Sequence, residues 1–361
     1  MSEYYIGTMC GTSLDSLDIS LVRITSKTLS VRSFKTFLFP SSLKRKIVKS
    51  ISTNNSSLIV NNELSEFVSN CITKVIKRNK LDVKKIRSIG YPGITLYHDP
   101  KKKRSDYLGC PKLINKQLGI PVIADFRLTD IMAGGQGAPM AGYFHDYIIQ
   151  KSTKPLSFLN LGGFANLTIK ISGKLYSYDS GPANYLLDYW CKKKFRKEFD
   201  RKGLLAKSGS INYKLLKILS SDIFFKKKYP KSTGFERFND KWLQNKLSKL
   251  DCKISNIDVL TTLTYLTITT VSQQLNKDSS SEKNIYIYGG GVNNETLVTG
   301  ILNNIKHKRI KKIRFNLDEK NLESVAFAWM AHQRIKGIKI GKSTITGKKR
   351  KSLLGTIYDG A

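Results

Sequence analysis

Residues 4–24 read YYIGTMCGTSLDSLDISLVRI, and residues 157–171 read SFLNLGGFANLTIKI. Each is a β-prone run, a polar turn carrying glycine, and a second β-prone run, which predicts a strand, a tight turn and a returning strand. The same device opens each half of the chain. After the first copy come β-prone runs at 32–40, 86–91 and 121–124, with helical periodicity over 43–51, 62–77 and 111–118. After the second come helical stretches at 184–194 and 258–276. A strand at 285–288 then runs into Gly289-Gly290-Gly291, followed by an apolar helix at 323–334 and a short final strand at 353–358. The run AGGQGAPM at 133–140 is too rich in glycine for the interior of a regular element. A boundary between halves is therefore expected beside it. A chain of 361 residues is long for one core. The expectation is an α/β protein of two domains with a cleft between them. Residues 1–130 with 340–361 would form the first lobe and 131–339 the second.

The formal net charge is +35, from 62 Lys and Arg against 27 Asp and Glu. Such a surplus invites a nucleic-acid reading. The basic clusters at 44–46, 101–104, 192–194, 226–228 and 348–351 are scattered, however, and fall mostly in polar connections. No aromatic RNA-binding signature and no Cys/His finger spacing accompanies them. They read as solvated surface that attracts polyanions weakly and loses them with salt, so no specific nucleic-acid partner is expected. The five cysteines are widely spaced without a CxxC pair, and the four histidines do not cluster. This indicates reduced thiols and no zinc site. No segment reaches the ~20 apolar residues of a membrane span. The expected location is the cytoplasm.

Four segments carry residues suited to chemistry. In the first turn, Gly11 lets backbone N–H groups approach an anion, Thr12 and Ser13 add hydroxyl donors, and Asp15 and Asp18 can hold Mg²⁺. No GK[ST] follows, so this is not a Walker loop. The second turn places Gly162 and Gly163 between strands. Asp179, in YDSGPANYLLD (178–188), sits at the end of a β-prone run, where a carboxylate suits a general base. The helix opening at Pro182 and Asn184 presents N-terminal amides to an anion. Gly289, Gly290 and Gly291 let a flat ring pass close to the backbone. Read locally, each has a plainer alternative: an Asx-turn hairpin, a Gly-bearing turn, an N-capping Asp and a flexible connection.

Together with ADFRLTDIMAGGQGAPM (124–140), DSGPANYLLDYW (179–190), KSTGFERFNDKWL (231–243), DVLTTLT (258–264), ESVAFAW (323–329) and LLGTIY (353–358), these segments resemble the 1,6-anhydro-N-acetylmuramic acid kinase family over nearly the whole chain. The resemblance implies the actin-like ATPase and sugar-kinase fold, which is ribonuclease H-like. It also implies an ATP-dependent kinase of cell-wall peptidoglycan recycling. Water attacks the anomeric carbon of the anhydro sugar while the freed O6 takes the γ-phosphoryl group, giving N-acetylmuramic acid 6-phosphate. By resemblance, Asp179 activates that water. Gly11, Thr12, Ser13, Leu14, Asp15, Ser16, Leu17 and Asp18 bind the ATP phosphates with Mg²⁺. Gly162 and Gly163 form the second phosphate turn, and Gly289 to Gly291 lie near the nucleoside. Asp125, Arg127, Gln136 and Glu323 fall in sugar-contacting segments, with Arg127 suited to the lactyl carboxylate. The family is often dimeric, so a homodimer is a further expectation. The chain departs from the family pattern at Cys10, Ser16, Pro92, Ile94, Cys110 and Ala183. An alternative reading keeps the fold and the ATP site with a different sugar or reduced activity.

Overall fold

The computed structural model describes residues 3–11, 14, 16–153, 155–277, 284–306, 311–312, 317 and 319–360. The expected strands and helices are present, and the chain divides into two compact units, 1–144 with 321–361 and 145–320. These boundaries differ from lobes at 1–130 with 340–361 and at 131–339. Residues 131–144 stay with the first unit because their loop bonds to Asp130 and Thr346. Residues 321–339 stay there because the helix Leu322–Ile335 packs on the first sheet.

In the first unit, β1 (Glu3–Cys10), β2 (Ser16–Ile24) and β3 (Leu29–Leu38) form an antiparallel meander. β4 (Ile86–Gly90) pairs parallel to β1, and β7 (Val122–Ala124) parallel to β4. β13 (Thr356–Tyr358) closes the far edge, giving the order β13-β7-β4-β1-β2-β3. A separate hairpin, β5 (Ile94–Asp99) with β6 (Arg104–Leu108), was not expected from the sequence.

Successive residues of β1 point to opposite faces. Ile6 joins a core with Ile19, Leu64, Val68 and Ile72 from β2 and the helix Leu58–Arg78. Tyr5 and Gly7 face the other way, and Tyr5 meets His332 edge to face at 5.0 Å. Here the helix Leu322–Ile335 lies on the sheet with its backbone. A Cβ on Gly7 would overlap the Ser324 carbonyl and the Ala328 nitrogen, and one on Gly90 the Phe327 carbonyl. Ser20 and Ser324 hydroxyls bond across the contact at 2.7 Å. Gly7→Val should therefore cost about 3 kcal/mol, the upper end for overpacking, read as a lower urea midpoint. Gly290→Ala, where an added Cβ meets nothing within 4 Å, should leave the midpoint unchanged.

The second unit repeats the pattern. β8 (Leu156–Leu161), β9 (Phe164–Ile171) and β10 (Lys174–Pro182) form an antiparallel meander. β11 (Asn284–Tyr288) runs parallel to β8, and β12 (Lys311–Lys312) parallel to β11. The order is β10-β9-β8-β11-β12. In both units three antiparallel strands are thus followed by two parallel ones on the far side of the first, the ribonuclease H-like arrangement. The helix Asn256–Leu275, N-capped by the Ser255 hydroxyl, supplies Ile268, Val271 and Leu275 to the core over this sheet. Buried His145 stacks on Phe158 at 4.1 Å and bonds Thr168 and Tyr288, and burial pushes its imidazole down to about 3. It is a neutral core residue near pH 7. No described helix is long and apolar enough to cross a membrane.

Candidate functional site

The β1–β2 turn begins after the pair Cys10–Leu17. Gly11 is exposed, and its carbonyl accepts the Leu14 N–H at 3.0 Å, with Leu14 at φ +54°. Thr12, Ser13 and Asp15 lie outside the described residues. Ser16 starts the ladder with Leu38. Leu17, expected at the nucleotide, is instead a core residue. Its side chain is buried with Ile6 and Ile19, and only its backbone borders the turn. Asp18 points to the opposite face, half-buried, and accepts the Thr36 hydroxyl at 2.6 Å.

The second turn does something the sequence reading did not foresee. The Gly163 carbonyl accepts the N–H groups of Ala183 and Tyr185 at 2.9 and 3.1 Å, and the Gly162 carbonyl that of Asn184 at 3.1 Å. A helix start normally leaves such donors open. Here the amides opening the helix Asn184–Phe195 are already taken by the turn, so they do not face an anion.

Beyond β11, the three glycines differ in kind. Gly289 has φ +88°, and a Cβ there would lie 2.9 Å from the Leu161 carbonyl. A Cβ on Gly291 would be 2.8 Å from that of Leu161. Both positions let this turn close on the end of β8, while Gly290 alone faces open space. The two glycine turns thus meet at the carboxyl ends of adjacent parallel strands, where ligands of open α/β sheets bind.

Asp179 lies within β10, which continues to Pro182, and a register shift between Asp179 and Gly181 breaks its pairing with β9. Its N–H donates to the Lys231 carbonyl at 2.9 Å, and its Oδ2 accepts the Thr233 N–H at 2.8 Å. Asp179 is 6% exposed. It does not cap the following helix, whose N-cap is Ala183 with no side-chain bond. Segment 231–233 was quoted for the resemblance but not recognised as a partner of Asp179. It borders a depression lined by Thr233, Glu236, Lys227, Trp242 and the ion pair Arg237–Asp222. Burial raises the Glu236 carboxyl above its usual range.

In the first unit, Asp125 stands at φ +56° before the helix Phe126–Met132. Its two oxygens accept the hydroxyls of Tyr107 at 2.8 Å and Tyr358 at 2.6 Å. Burial and that bond push the Tyr358 phenol up to about 12. Both tyrosines were missed, because they reach Asp125 from other strands. Arg127 donates to the Gly137 carbonyl at 2.8 Å, and His98 Nε2 donates to the Gln136 carbonyl at 2.9 Å. Burial and the Arg127 charge hold the His98 imidazole down at about 4, so it is neutral near pH 7. Asp125 and Arg127 line a small pocket with Pro92, Thr95 and Tyr107. Glu323 sits in the first turn of the helix Leu322–Ile335, half-buried.

The loop 133–140 is organised by Asp130, which is fully buried. Asp130 Oδ2 accepts the Gly137 N–H at 2.9 Å, and Oδ1 accepts the hydroxyls of Tyr143 at 2.7 Å and Thr346 at 3.1 Å. The Lys348 ammonium lies 3.6 Å from Oδ1, an ion pair rather than a hydrogen bond, with no part of its side chain exposed. Among the described residues no group of three or more His, Cys, Asp or Glu is placed to hold a metal ion.

The family model described as anhydro-N-acetylmuramic acid kinase matches residues 3–360. Curated relatives carrying that description include one from Sulfurimonas denitrificans, 34% identical with 99% of this chain and 100% of the relative covered. Another, from Sulfurovum sp., is 35% identical with 99% of each covered. One from Vibrio cholerae is 32% identical, covering 99% of this chain and 98% of the relative. Matched from end to end by the family model and by these relatives, the chain belongs to the anhydro-N-acetylmuramic acid kinase family.

Proposed function

We propose that this chain is an ATP-dependent kinase that opens 1,6-anhydro-N-acetylmuramic acid with water and phosphorylates O6. Full-length family membership is the observation that carries this reading. The product would be N-acetylmuramic acid 6-phosphate, with ADP, in cell-wall recycling.

Asp179 takes a proton from the water whose oxygen bonds to the anomeric carbon. The bond from that carbon to O6 breaks, and O6 attacks the γ-phosphorus as ADP leaves. A base in this role must be held at a fixed angle to the water. The backbone contacts of Asp179 to residues 231 and 233 support that role. Phosphoryl transfer otherwise asks mainly for positioning and charge neutralisation. The backbone at Gly11 to Ser16 and at Gly162-Gly163 would supply donors, and Gly290 an open surface for the nucleoside. The half-buried carboxylate of Asp18 suits Mg²⁺, which takes one or two carboxylates and completes its shell with water and phosphate oxygens. Bound there with Asp15, it would neutralise charge on the phosphates. Arg127, Gln136 and Glu323 are assigned to the sugar, and Asp125 to holding Tyr107 and Tyr358 beside it.

A coupled assay of ADP release tests the reading directly. ADP should appear only when the anhydro sugar is present, and mass spectrometry should show the 6-phosphate. Absence of sugar-dependent ADP would sink the proposal.

A further inference from the structure

Lys231 is a charged group that the chemistry above does not use, yet it is only 5% exposed. Its ammonium donates to the carbonyls of Phe224 at 3.1 Å and Phe225 at 3.4 Å, at the end of the short helix Ile223–Lys226. It also sits 4.5 Å from the centre of the Phe224 ring. Burying an ammonium costs several kcal/mol unless it is bonded on most sides. An apolar side chain could fill the same space without that cost, so the charge has to be explained by what it ties together.

β10 is an edge strand of its sheet. Its outer backbone groups need a partner, and at Asp179 the partner is segment 231–233. The Lys231 carbonyl takes the Asp179 N–H, and the Thr233 N–H holds the Asp179 carboxylate. Segment and strand touch through these two bonds, so where the segment sits decides how the carboxylate is turned. The Lys231 ammonium is what fastens the segment to the Phe224-Phe225 backbone beneath it.

We propose that Lys231 is a positioning residue for Asp179, anchoring the 231–233 segment whose backbone orients that carboxylate. The proposal rests on Asp179 being the base.

The charged groups acting on Lys231 are Lys277 and Lys227, which disfavour its protonation, and Asp179, which favours it. Burial outweighs them all, and the ammonium is pushed down to about 8. Raising the pH through that value should release the proton, weaken the grip on the two carbonyls and loosen the carboxylate.

The test compares wild type, Lys231→Arg, Lys231→Met and Asp179→Asn in the coupled assay from pH 6 to 10, with KM for sugar and ATP measured alongside. Wild-type kcat should fall on an alkaline limb near pH 8. Lys231→Met should lower kcat at pH 7 by roughly 10- to 100-fold, the scale of a small misplacement of a reacting group. KM should hold and the limb should vanish. Lys231→Arg keeps a charge that does not titrate in this range, so it should retain more activity than the Met variant and lose the limb. A limb unchanged in Lys231→Arg would overturn the proposal even if Lys231→Met fails to fold. So would wild-type kcat in Lys231→Met. Loss of activity in Asp179→Asn alongside either result leaves the base assignment standing, whereas full activity in Asp179→Asn removes that assignment and this proposal with it.

Discussion

Asp179→Asn should lower kcat for sugar-dependent ADP release by roughly 10²- to 10⁴-fold, the usual contribution of a positioned general base. Binding of ATP and sugar, measured by calorimetry, should stay within a few fold of wild type. The substitution is chosen for what it preserves. Asn has nearly the same shape, and its amide oxygen can still accept the Thr233 N–H that now meets Oδ2 at 2.8 Å. The backbone bond to Lys231 is untouched. What disappears is basicity, since a neutral amide cannot take a proton from water. Asp179→Ala would be less informative, because it empties a buried position and frees the Thr233 amide. A variant that turns over at the wild-type rate would show that another group activates the water. One that fails to bind ATP or unfolds early would make the carboxylate structural.

The second large effect concerns Asp130, far from Asp179 in sequence. Asp130→Ala should destabilise the fold by roughly 3–5 kcal/mol, the usual result of breaking a buried pair by removing one partner. Three donors lose the Asp130 carboxylate at once: the Gly137 amide and the hydroxyls of Tyr143 and Thr346, which keep their bond to each other at 2.7 Å. The Lys348 ammonium also loses its counter-charge while wholly enclosed. Burial already lowers its proton affinity against the pull of Asp130, so removing the carboxylate leaves the charged form only its distant contact with the Tyr143 ring, 5.9 Å from the ammonium. A urea titration should show the drop. Adding Lys348→Met to Asp130→Ala should restore part of it, since the stranded charge goes as well. A loss below about 1 kcal/mol, the size of an exposed ion pair, would mean that the carboxylate and ammonium are not coupled as their geometry requires.

Much of the architecture was legible because it is local. β-prone runs joined by a glycine turn mark β1–β2 and β8–β9, and an apolar stretch marks the helix Leu322–Ile335. The repeat of one device in both halves pointed to two similar units, and apart from the edge strand β13 both sheets have the same strand order. The unit boundaries were less legible, because they depend on which sheet the helix Leu322–Ile335 covers. That in turn depends on the missing side chains of Gly7 and Gly90, far from the helix in sequence. The β5–β6 hairpin was hidden by its connection at 100–103, whose lysines read as surface charge.

Among the site residues, the glycines and Asp179 could be picked out because their types are unusual at those places. Their roles needed partners that no local pattern reveals. Leu17 looked like part of a phosphate turn until its burial placed it in the core. Asp125 looked like a sugar ligand, and it holds two phenols supplied by β6 and β13. Lys231 sits in a segment that drew attention as a signature, while its meaning lies in the two carbonyls beneath it.

The carbonyls of Gly162 and Gly163, by seating the start of the helix Asn184–Phe195, join that turn to the chain immediately after Asp179. Turn, strand end and helix must then shift together or not at all, like parts cast in one piece. The separation between the glycine pair and the acid is settled while the chain folds, and little freedom remains there for an arriving molecule to take away.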